Sequence, residues 1–183
     1  MIIFSFLLLV AVLNGCASHL SYQQALRKND RKQETDAQRK DADFLVEAKS
    51  MNILERELNR AASTDGYAAS IVQMAKQNLE DHLDMDKDLK KLARKKRIKL
   101  PTQMRESHNT TLNTLVGMRK EDFDKAFIKD LRSLNEENTF KFENMATEAG
   151  DADIRAFSAR KLDMMREHAK RLEGVQKDLL HTY

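Results

Sequence analysis

The sequence contains few helix-breaking residues and only one cysteine. Its 183 residues include one Pro, five Gly, one Cys and no Trp. A single cysteine excludes an intramolecular disulfide. Because Pro and Gly interrupt helices and 33% of the residues are charged, the composition indicates a mostly helical chain, and no segment alternates as strands do. The predicted fold class is all-α.

Motifs for common catalytic and phosphate-binding sites are also absent from the sequence. It has no Gly-rich phosphate loop, no nucleophile elbow, no HExxH pair and no cysteine cluster. The formal net charge is only +3 and no aromatic residue accompanies the basic run, which argues against nucleic acid as a partner. We therefore predict that the protein is not an enzyme and has no catalytic residue.

The chain begins with an uncharged apolar run, MIIFSFLLLVAVL. This run is shorter than the ~20 residues of a membrane-spanning helix and matches the core of a signal peptide. No Lys or Arg precedes it, so only the α-amino group supplies the usual positive charge. We predict a signal peptide at residues 1–15. The alternative is a buried N-terminal helix with an inert cysteine.

The end of this run, Leu13-Asn14-Gly15-Cys16, resembles the bacterial lipobox, in which a cysteine after a small residue is acylated and becomes the mature N-terminus. The resemblance implies cleavage between Gly15 and Cys16 and attachment of acyl chains such as palmitate to Cys16. Lipid would then anchor the protein to the membrane. Ala17 stands where inner-membrane lipoproteins of enteric bacteria often carry Asp, which implies the outer membrane, facing the periplasm.

The rest of the chain divides into a polar spacer and one helical domain. Residues 16–40 are polar and mixed in charge, which suits a partly helical spacer, and the domain is expected at 41–183. Four of its segments carry apolar residues at steps of three or four, the spacing of one helical face. These residues are Phe44, Ala48, Met51, Leu54, Leu58 and Ala62; Ile71, Ala75, Leu79, Met85, Leu89 and Leu92; Phe123, Phe127, Leu131, Leu134, Phe142 and Met145; and Ile154, Phe157, Met164, Met165, Leu172, Val175 and Leu179.

Turn residues predict where these helices begin and end. Asp41 or Asp43 is expected to cap the first helix and Gly66 to end it, while Pro101 limits the second. Two short turns and one long connection, residues 98–120, predict a four-helix bundle built from two helical hairpins joined by a crossover.

Several segments resemble the bacterial DUF4142 family. They are DADFLVEA from Asp41, EDH ending at His82, KLPT around Pro101, FDKAF from Phe123 and the IRAFSARKL run that leads to His168. The resemblance covers most of residues 41–175 and implies a ferritin-like helical domain in an outer-membrane or secreted protein of unassigned function. This sequence departs from the family pattern at Leu134-Asn135, where the family commonly has Asp-His.

The segments ending at His82 and His168 also match each other in position, which predicts a duplicated hairpin.

Each apolar stripe also carries polar residues, so every helix is expected to bring a polar group inward. The best-placed candidates are Glu55, His82, Asn135 and His168. Polar groups are costly to bury without partners. These residues would therefore form either a hydrogen-bonded network that fixes the helix register or a metal site.

The alternative metal site would not be a di-iron centre. Leu79 and Met165 lie three residues before His82 and His168, where the Glu-x-x-His motif requires glutamates, so ferroxidase activity is not expected. Each of these histidines has a Met within one helical turn, and imidazole with thioether suits copper(I). However, nine Met residues also fit an ordinary helical core.

The strongest charge feature is the basic run DLKKLARKKRIK at residues 88–99. Its candidate contact residues for a polyanion are Lys90, Lys91, Arg94, Lys95, Lys96 and Arg97. A solvated face that complements the helix dipole is the simplest interpretation, because cations are stabilising near a helix C-terminus. The alternative is contact with anionic lipid or another anionic polymer of the envelope.

The sequence therefore predicts a lipid-anchored protein of the bacterial envelope with a non-catalytic helical bundle. Its expected role is that of an interaction protein or a stress-related structural protein of the periplasm, with an envelope protein or anionic polymer as partner. The alternative is a protein that binds copper, zinc or iron through inward-facing His, Glu, Asn and Met. The sequence identifies no cofactor. In the metal-binding alternative, the cofactor is a transition metal.

Overall fold

The computed structural model describes residues 19–180, and within that range the chain is all-α, as predicted. Its six helices in this range are α1 (Tyr22–Asp30), α2 (Asp36–Asp65), α3 (Ala69–Lys95), α4 (Glu106–Val116), α5 (Lys120–Glu148) and α6 (Ala152–Leu180). None of these helices combines the length and apolarity needed to cross a membrane. The predicted signal peptide and Cys16 lie outside the described residues.

The four long helices pack as two hairpins. Helix α2 packs on α3 and α5 packs on α6, each pair across a short connection. The hairpins meet through contacts of α2 with α5 and of α3 with α6. The two short helices lie on this assembly, α1 against α2, and α4 against both α2 and α5.

Helical structure begins earlier than the apolar pattern indicates. Helix α1 lies within the segment expected to be a spacer, and its Ala25 and Asn29 are fully buried. Helix α2 starts at Asp36 because Thr35 and Gln38 form a capping box, in which each side chain accepts a hydrogen bond from the other's backbone N–H. The prediction that Asp41 or Asp43 caps this helix is therefore wrong.

The long connection between the hairpins contains a helix that the sequence analysis did not predict. In α4, Leu115 and His108 are buried, and the His108 ring lies 3.0 Å from the Ser50 hydroxyl of α2. The same hydroxyl accepts a hydrogen bond from the backbone N–H of Arg105, just before α4. These contacts hold the connection against α2.

Helix α3 ends at Lys95, before Pro101 could interrupt it. Arg97 adopts the left-handed backbone conformation, with φ of 57°. The N–H of Arg97 bonds to the Arg94 carbonyl at 3.1 Å, and the N–H of Ile98 bonds to the Ala93 carbonyl at 2.9 Å. This hydrogen-bond pattern is a Schellman motif, which satisfies the last carbonyls of a helix. The prediction for the end of the first long helix is confirmed, since Gly66 directly follows α2.

Each hairpin holds the turn of the other through a buried aspartate. Asp41 of α2 accepts hydrogen bonds from the backbone N–H groups of Gly150 (3.0 Å) and Asp151 (2.8 Å), between α5 and α6. Asp124 of α5 accepts from Tyr67 (3.0 Å) and Ala68 (2.8 Å), between α2 and α3. A duplicated helical hairpin would produce this reciprocity.

The apolar core consists of two clusters. One contains Met51, Met85, Phe142, Phe157 and Met165, and the other contains Leu54, Ile71, Phe127, Leu131 and Leu172. The predicted apolar residues are buried except for Leu79, Met164 and Leu179, which are partly buried. Along each long helix, the polar residues of interest lie where one cluster gives way to the other.

Candidate functional site

A layer of buried polar side chains separates the two apolar clusters. Its members, which we call the polar layer, are Asn52 and Glu55 on α2, His82 on α3, Asn138 on α5 and His168 on α6. None of them is more than 4% exposed. All four long helices therefore contribute to one enclosed polar site.

His82 occupies the centre of the polar layer. Its Nδ1 lies 3.0 Å from Oδ1 of Asn52. Because an amide oxygen can only accept a hydrogen bond, Nδ1 carries the proton and Nε2 carries a lone pair in the neutral ring. That Nε2 lies 3.5 Å from Oε2 of Glu55.

Glu55 is held in its neutral form at this site. Oε2 of Glu55 accepts a hydrogen bond of 3.1 Å from the Asn138 amide. Burial raises the pKa of the Glu55 carboxyl to about 8, although this hydrogen bond opposes the shift. Burial also lowers the pKa of His82 well below its usual value, and nearby His168 adds to that effect. Glu55 and His82 are thus a neutral acid and a neutral base at pH 7, even though their separation fits an ion pair.

A chain of contacts links the polar layer to the surface between α3 and α6. The rings of His82 and His168 are 5.0 Å apart between centroids. Nε2 of His168 lies 3.1 Å from Asp81, and Arg171 donates to the same carboxylate at 2.6 Å. Hydrogen bonds from His168 and Arg171 lower the pKa of Asp81 to about 2. The charged end of the network is therefore at the half-exposed Asp81–Arg171 pair.

Some polar atoms of the layer make no hydrogen bond within the described part of the chain. They are Nδ2 of Asn52, Nε2 of His82 and Oδ1 of Asn138. Of these, Nε2 of His82 faces the protonated Glu55 carboxyl, which can turn its O–H toward the ring. The proton of this pair therefore stays on the Glu55 carboxyl.

The structure brings together three of the four predicted metal candidates. Glu55, His82 and His168 belong to the polar layer, whereas Asn135 is 9% exposed and makes no hydrogen bond to any of them. Between residues 19 and 180, no group of three or more His, Cys, Asp or Glu is placed to hold a metal ion. The thioethers of Met85 and Met165 pack in the adjoining apolar cluster.

Sequence reasoning missed Asn52, the direct partner of His82, because Asn52 lies off the apolar stripe. A spacing in the sequence could have identified it. Asp41 and Asp124, which hold the two turns, are separated by 83 residues, and so are Glu55 and Asn138. With the same spacing of 83 residues, Asn52 of the first hairpin aligns with Asn135 of the second. An internal alignment of the two hairpins therefore marks this position.

A second buried charged group was also missed. The Lys49 ammonium of α2 forms an ion pair with the Asp86 carboxylate of α3, and both side chains are 8% exposed. Lys90 binds the same carboxylate at 2.6 Å, and hydrogen bonds from Lys49 and Lys90 lower the pKa of Asp86 against the effect of burial. This cluster joins the two helices of the first hairpin.

Intrachain ion pairs occupy half of the candidate polyanion contacts. Lys90 pairs with Asp86, while Lys95 and Lys96 pair with acidic residues at the start of α6, at 2.5–2.8 Å. The other three candidates are exposed and form no ion pair within residues 19–180. They are Lys91, Arg94 and Arg97.

Comparisons with known proteins give one match. A family model described as "Domain of unknown function (DUF4142)" matches residues 26–175, a span that begins in α1 and ends in α6. No curated protein and no solved structure matches the chain.

Proposed function

Because the chain belongs to the DUF4142 family, whose description assigns no activity, we propose its function from its own residues. We propose that it is a bacterial envelope lipoprotein, cleaved before Cys16 and anchored through that cysteine in the outer membrane, facing the periplasm. Its domain acts without catalysis, as an interaction protein or a stress-related structural protein. The observation that carries the non-catalytic assignment is the enclosed polar layer, whose groups bind one another.

The proposed architecture is a ferritin-like four-helix bundle formed by α2, α3, α5 and α6. Two features support it: each hairpin is closed by a short turn, and each holds the turn of the other through Asp41 or Asp124. Helix α4 then lies in the crossover between the hairpins. In such bundles, sites form in the core from side chains on facing helices, which is where the polar layer lies.

A structural role for the polar layer is supported by its charge state. An unpaired buried charge is strongly unfavourable. Here burial keeps Glu55 and His82 neutral, and direct hydrogen bonds from Asn138 and to Asn52 orient them. Each of these bonds joins two different helices, so the layer fixes the axial register of the helices.

The alternative function is binding of copper, zinc or iron. One observation favours it: Nε2 of His82 carries a lone pair, makes no hydrogen bond and lies 3.5 Å from Oε2 of Glu55. Imidazole nitrogen and carboxylate oxygen are both metal donors. A metal would have to displace the proton from Glu55, so its affinity would rise with pH.

The lipid anchor predicts a complete dependence of membrane attachment on Cys16. In a bacterial host, the full chain should incorporate labelled palmitate and sediment with outer membranes. Cys16→Ser should abolish both, because only the thiol accepts the lipid. The measurement is palmitate incorporation together with membrane fractionation.

Two matched variants sharpen this test. Ser18→Ala changes a neighbouring side chain and should leave labelling and location unchanged. Ala17→Asp should leave labelling intact and move the protein to the inner membrane. An unlabelled wild-type chain in the soluble fraction would contradict the proposed anchor.

A further inference from the structure

The start of the described chain is tied to the connection that follows α3. Leu20 and Thr102 exchange hydrogen bonds, with the Thr102 N–H donating to the Leu20 carbonyl at 2.8 Å and the Leu20 N–H donating to the Thr102 hydroxyl at 2.9 Å. At the other end of α1, the buried Asn29 side chain bonds to both backbone groups of Lys99, at 2.8 and 2.9 Å. Both ends of α1 are therefore fixed to residues 99–102.

This attachment limits the distance from the domain to Cys16. Cys16 lies four positions before Leu20 in the sequence. A fully extended chain spans at most ~3.6 Å per residue, so four positions can bridge no more than about 14 Å from Leu20. A lipid on Cys16 would hold the start of α1 close to the membrane surface.

Exposed basic residues without ion pairs in the described part of the chain lie around the other contact of α1, between Asn29 and Lys99, about one α1 length from Leu20. We call this group the basic end; its members are Arg31, Lys32, Arg94, Arg97 and Lys99. Lys95 and Lys96 already engage Asp151 and Asp153, the nearby acidic residues at the start of α6. Exposed Asp30 and Glu34 offset part of the charge but leave an excess of cations.

We propose that the basic end rests on anionic phospholipid head groups of the membrane that holds the anchor. This inference deepens the proposed function and rests on the lipidation of Cys16. The negative potential of an anionic membrane acts over about 8–10 Å at moderate ionic strength, and each nearby Lys or Arg adds to the attraction. The short tether keeps the basic end close to this range, whereas a dissolved polyanion would have to reach a surface that already faces the membrane.

Docking in this way orients the whole domain. The α2–α3 turn lies at the opposite end of α3 from the basic end. Its Tyr67 is 58% exposed. This end of the molecule would project away from the membrane and present its surface to the periplasm.

The test uses the full lipidated chain in vesicles of phosphatidylethanolamine, with or without phosphatidylglycerol. Amine-reactive labelling of individual lysines is followed by mass spectrometry. Labelling of Lys32 and Lys99 should slow by about threefold or more when phosphatidylglycerol is present and should recover in high salt. Lys76, Lys129 and Lys177, which are exposed elsewhere on the domain, should label at the same rate in both vesicles.

Charge-removal variants separate docking from anchoring. The triple change Arg31→Gln, Arg94→Gln and Arg97→Gln removes charge but keeps Lys32 and Lys99 as reporters, and it should abolish their protection. The matched triple change Lys76→Gln, Lys129→Gln and Lys177→Gln removes the same charge elsewhere and should preserve the protection.

The outcomes distinguish the two proposals. If the chain is lipidated but Lys32 and Lys99 label equally in both vesicles, or are protected regardless of salt, the docking proposal is overturned while the anchor stands. If the chain carries no lipid, the proposed function fails and the docking inference fails with it.

Discussion

The free energy of unfolding is expected to fall by about 1 kcal/mol as the pH rises from 6.5 to about 8. The cause is Glu55, whose pKa rises from 4.5 to about 8 on burial. Over this range the folded state holds a proton at Glu55 that the unfolded state has released. This contributes up to about 1.4 kcal/mol per pH unit, and the remaining titration of unfolded-state histidines offsets part of it. Chemical denaturation at several pH values measures this slope.

Glu55 and His82 together determine the sign of the pH dependence of stability and the pH range in which it appears. Between pH 4.5 and 6.5, Glu55 also makes stability fall with rising pH. His82 acts in the opposite direction there, because its depressed pKa leaves the folded state unprotonated while the unfolded state binds a proton. The buried His108, whose pKa is also lowered by burial, adds to the His82 effect. The histidine contributions fade between pH 6.5 and about 7.5, as the unfolded-state imidazoles lose their protons, and the Glu55 slope then dominates.

Two variants identify Glu55 as the source. Glu55→Gln keeps a neutral amide of similar shape and should remove the fall in stability between pH 6.5 and 8. Glu57→Gln removes a half-exposed carboxyl from the same helix, where it pairs with Arg60, and should leave the wild-type slope. Identical slopes in the wild type and in Glu55→Gln would show that Glu55 is ionised in the folded protein.

His82→Ala is expected to destabilise the fold by about 3 kcal/mol. The change removes a fully enclosed ring, leaves a cavity between the apolar clusters, and deprives Asn52 of its partner. Large-to-small changes in a core cost about 2–5 kcal/mol, and an unsatisfied buried polar group adds about 1–3 kcal/mol. Urea denaturation at pH 7 gives the difference.

A double-mutant cycle tests whether His82 and Asn52 act together. The pair His82→Ala and Asn52→Ala should be less destabilising than the sum of the single changes, by about 1 kcal/mol or more. His19→Ala, outside the helices, is the matched control and should change stability by less than about 0.5 kcal/mol. A loss below about 1 kcal/mol for His82→Ala, or no coupling to Asn52, would contradict a structural polar layer.

Helical periodicity predicts which way a side chain points but not at which level it meets the side chains of neighbouring helices. It placed Glu55, His82 and His168 correctly in the interior, because each shares a face with apolar residues one turn away. It could not distinguish Asn138, which bonds to Glu55, from Asn135, which does not, since both lie on the inward face of α5. Axial level depends on how the hairpins meet.

Helices with weak apolar patterns could not be predicted in the same way. Helix α1 buries only Ala25 and Asn29, and α4 buries only Leu115 and His108. Too few apolar residues repeat in either helix to reveal a stripe, and tertiary contacts hold both in place. Arg97 shows the same limit, because its left-handed conformation usually signals glycine and the sequence gives no glycine there.

The central claim is that the polar layer is a neutral hydrogen-bonded network, and metal titration tests it most directly. The full chain, purified in detergent at pH 7, is titrated with copper(I), zinc and iron(II). Two variants are titrated alongside it: the single change Glu55→Gln, and the double change of His82→Ala and His168→Ala. The account predicts that neither variant changes metal binding and that the wild type holds no stoichiometric metal. One equivalent per chain that disappears in the folded Glu55→Gln variant would contradict the account and make the polar layer a metal site.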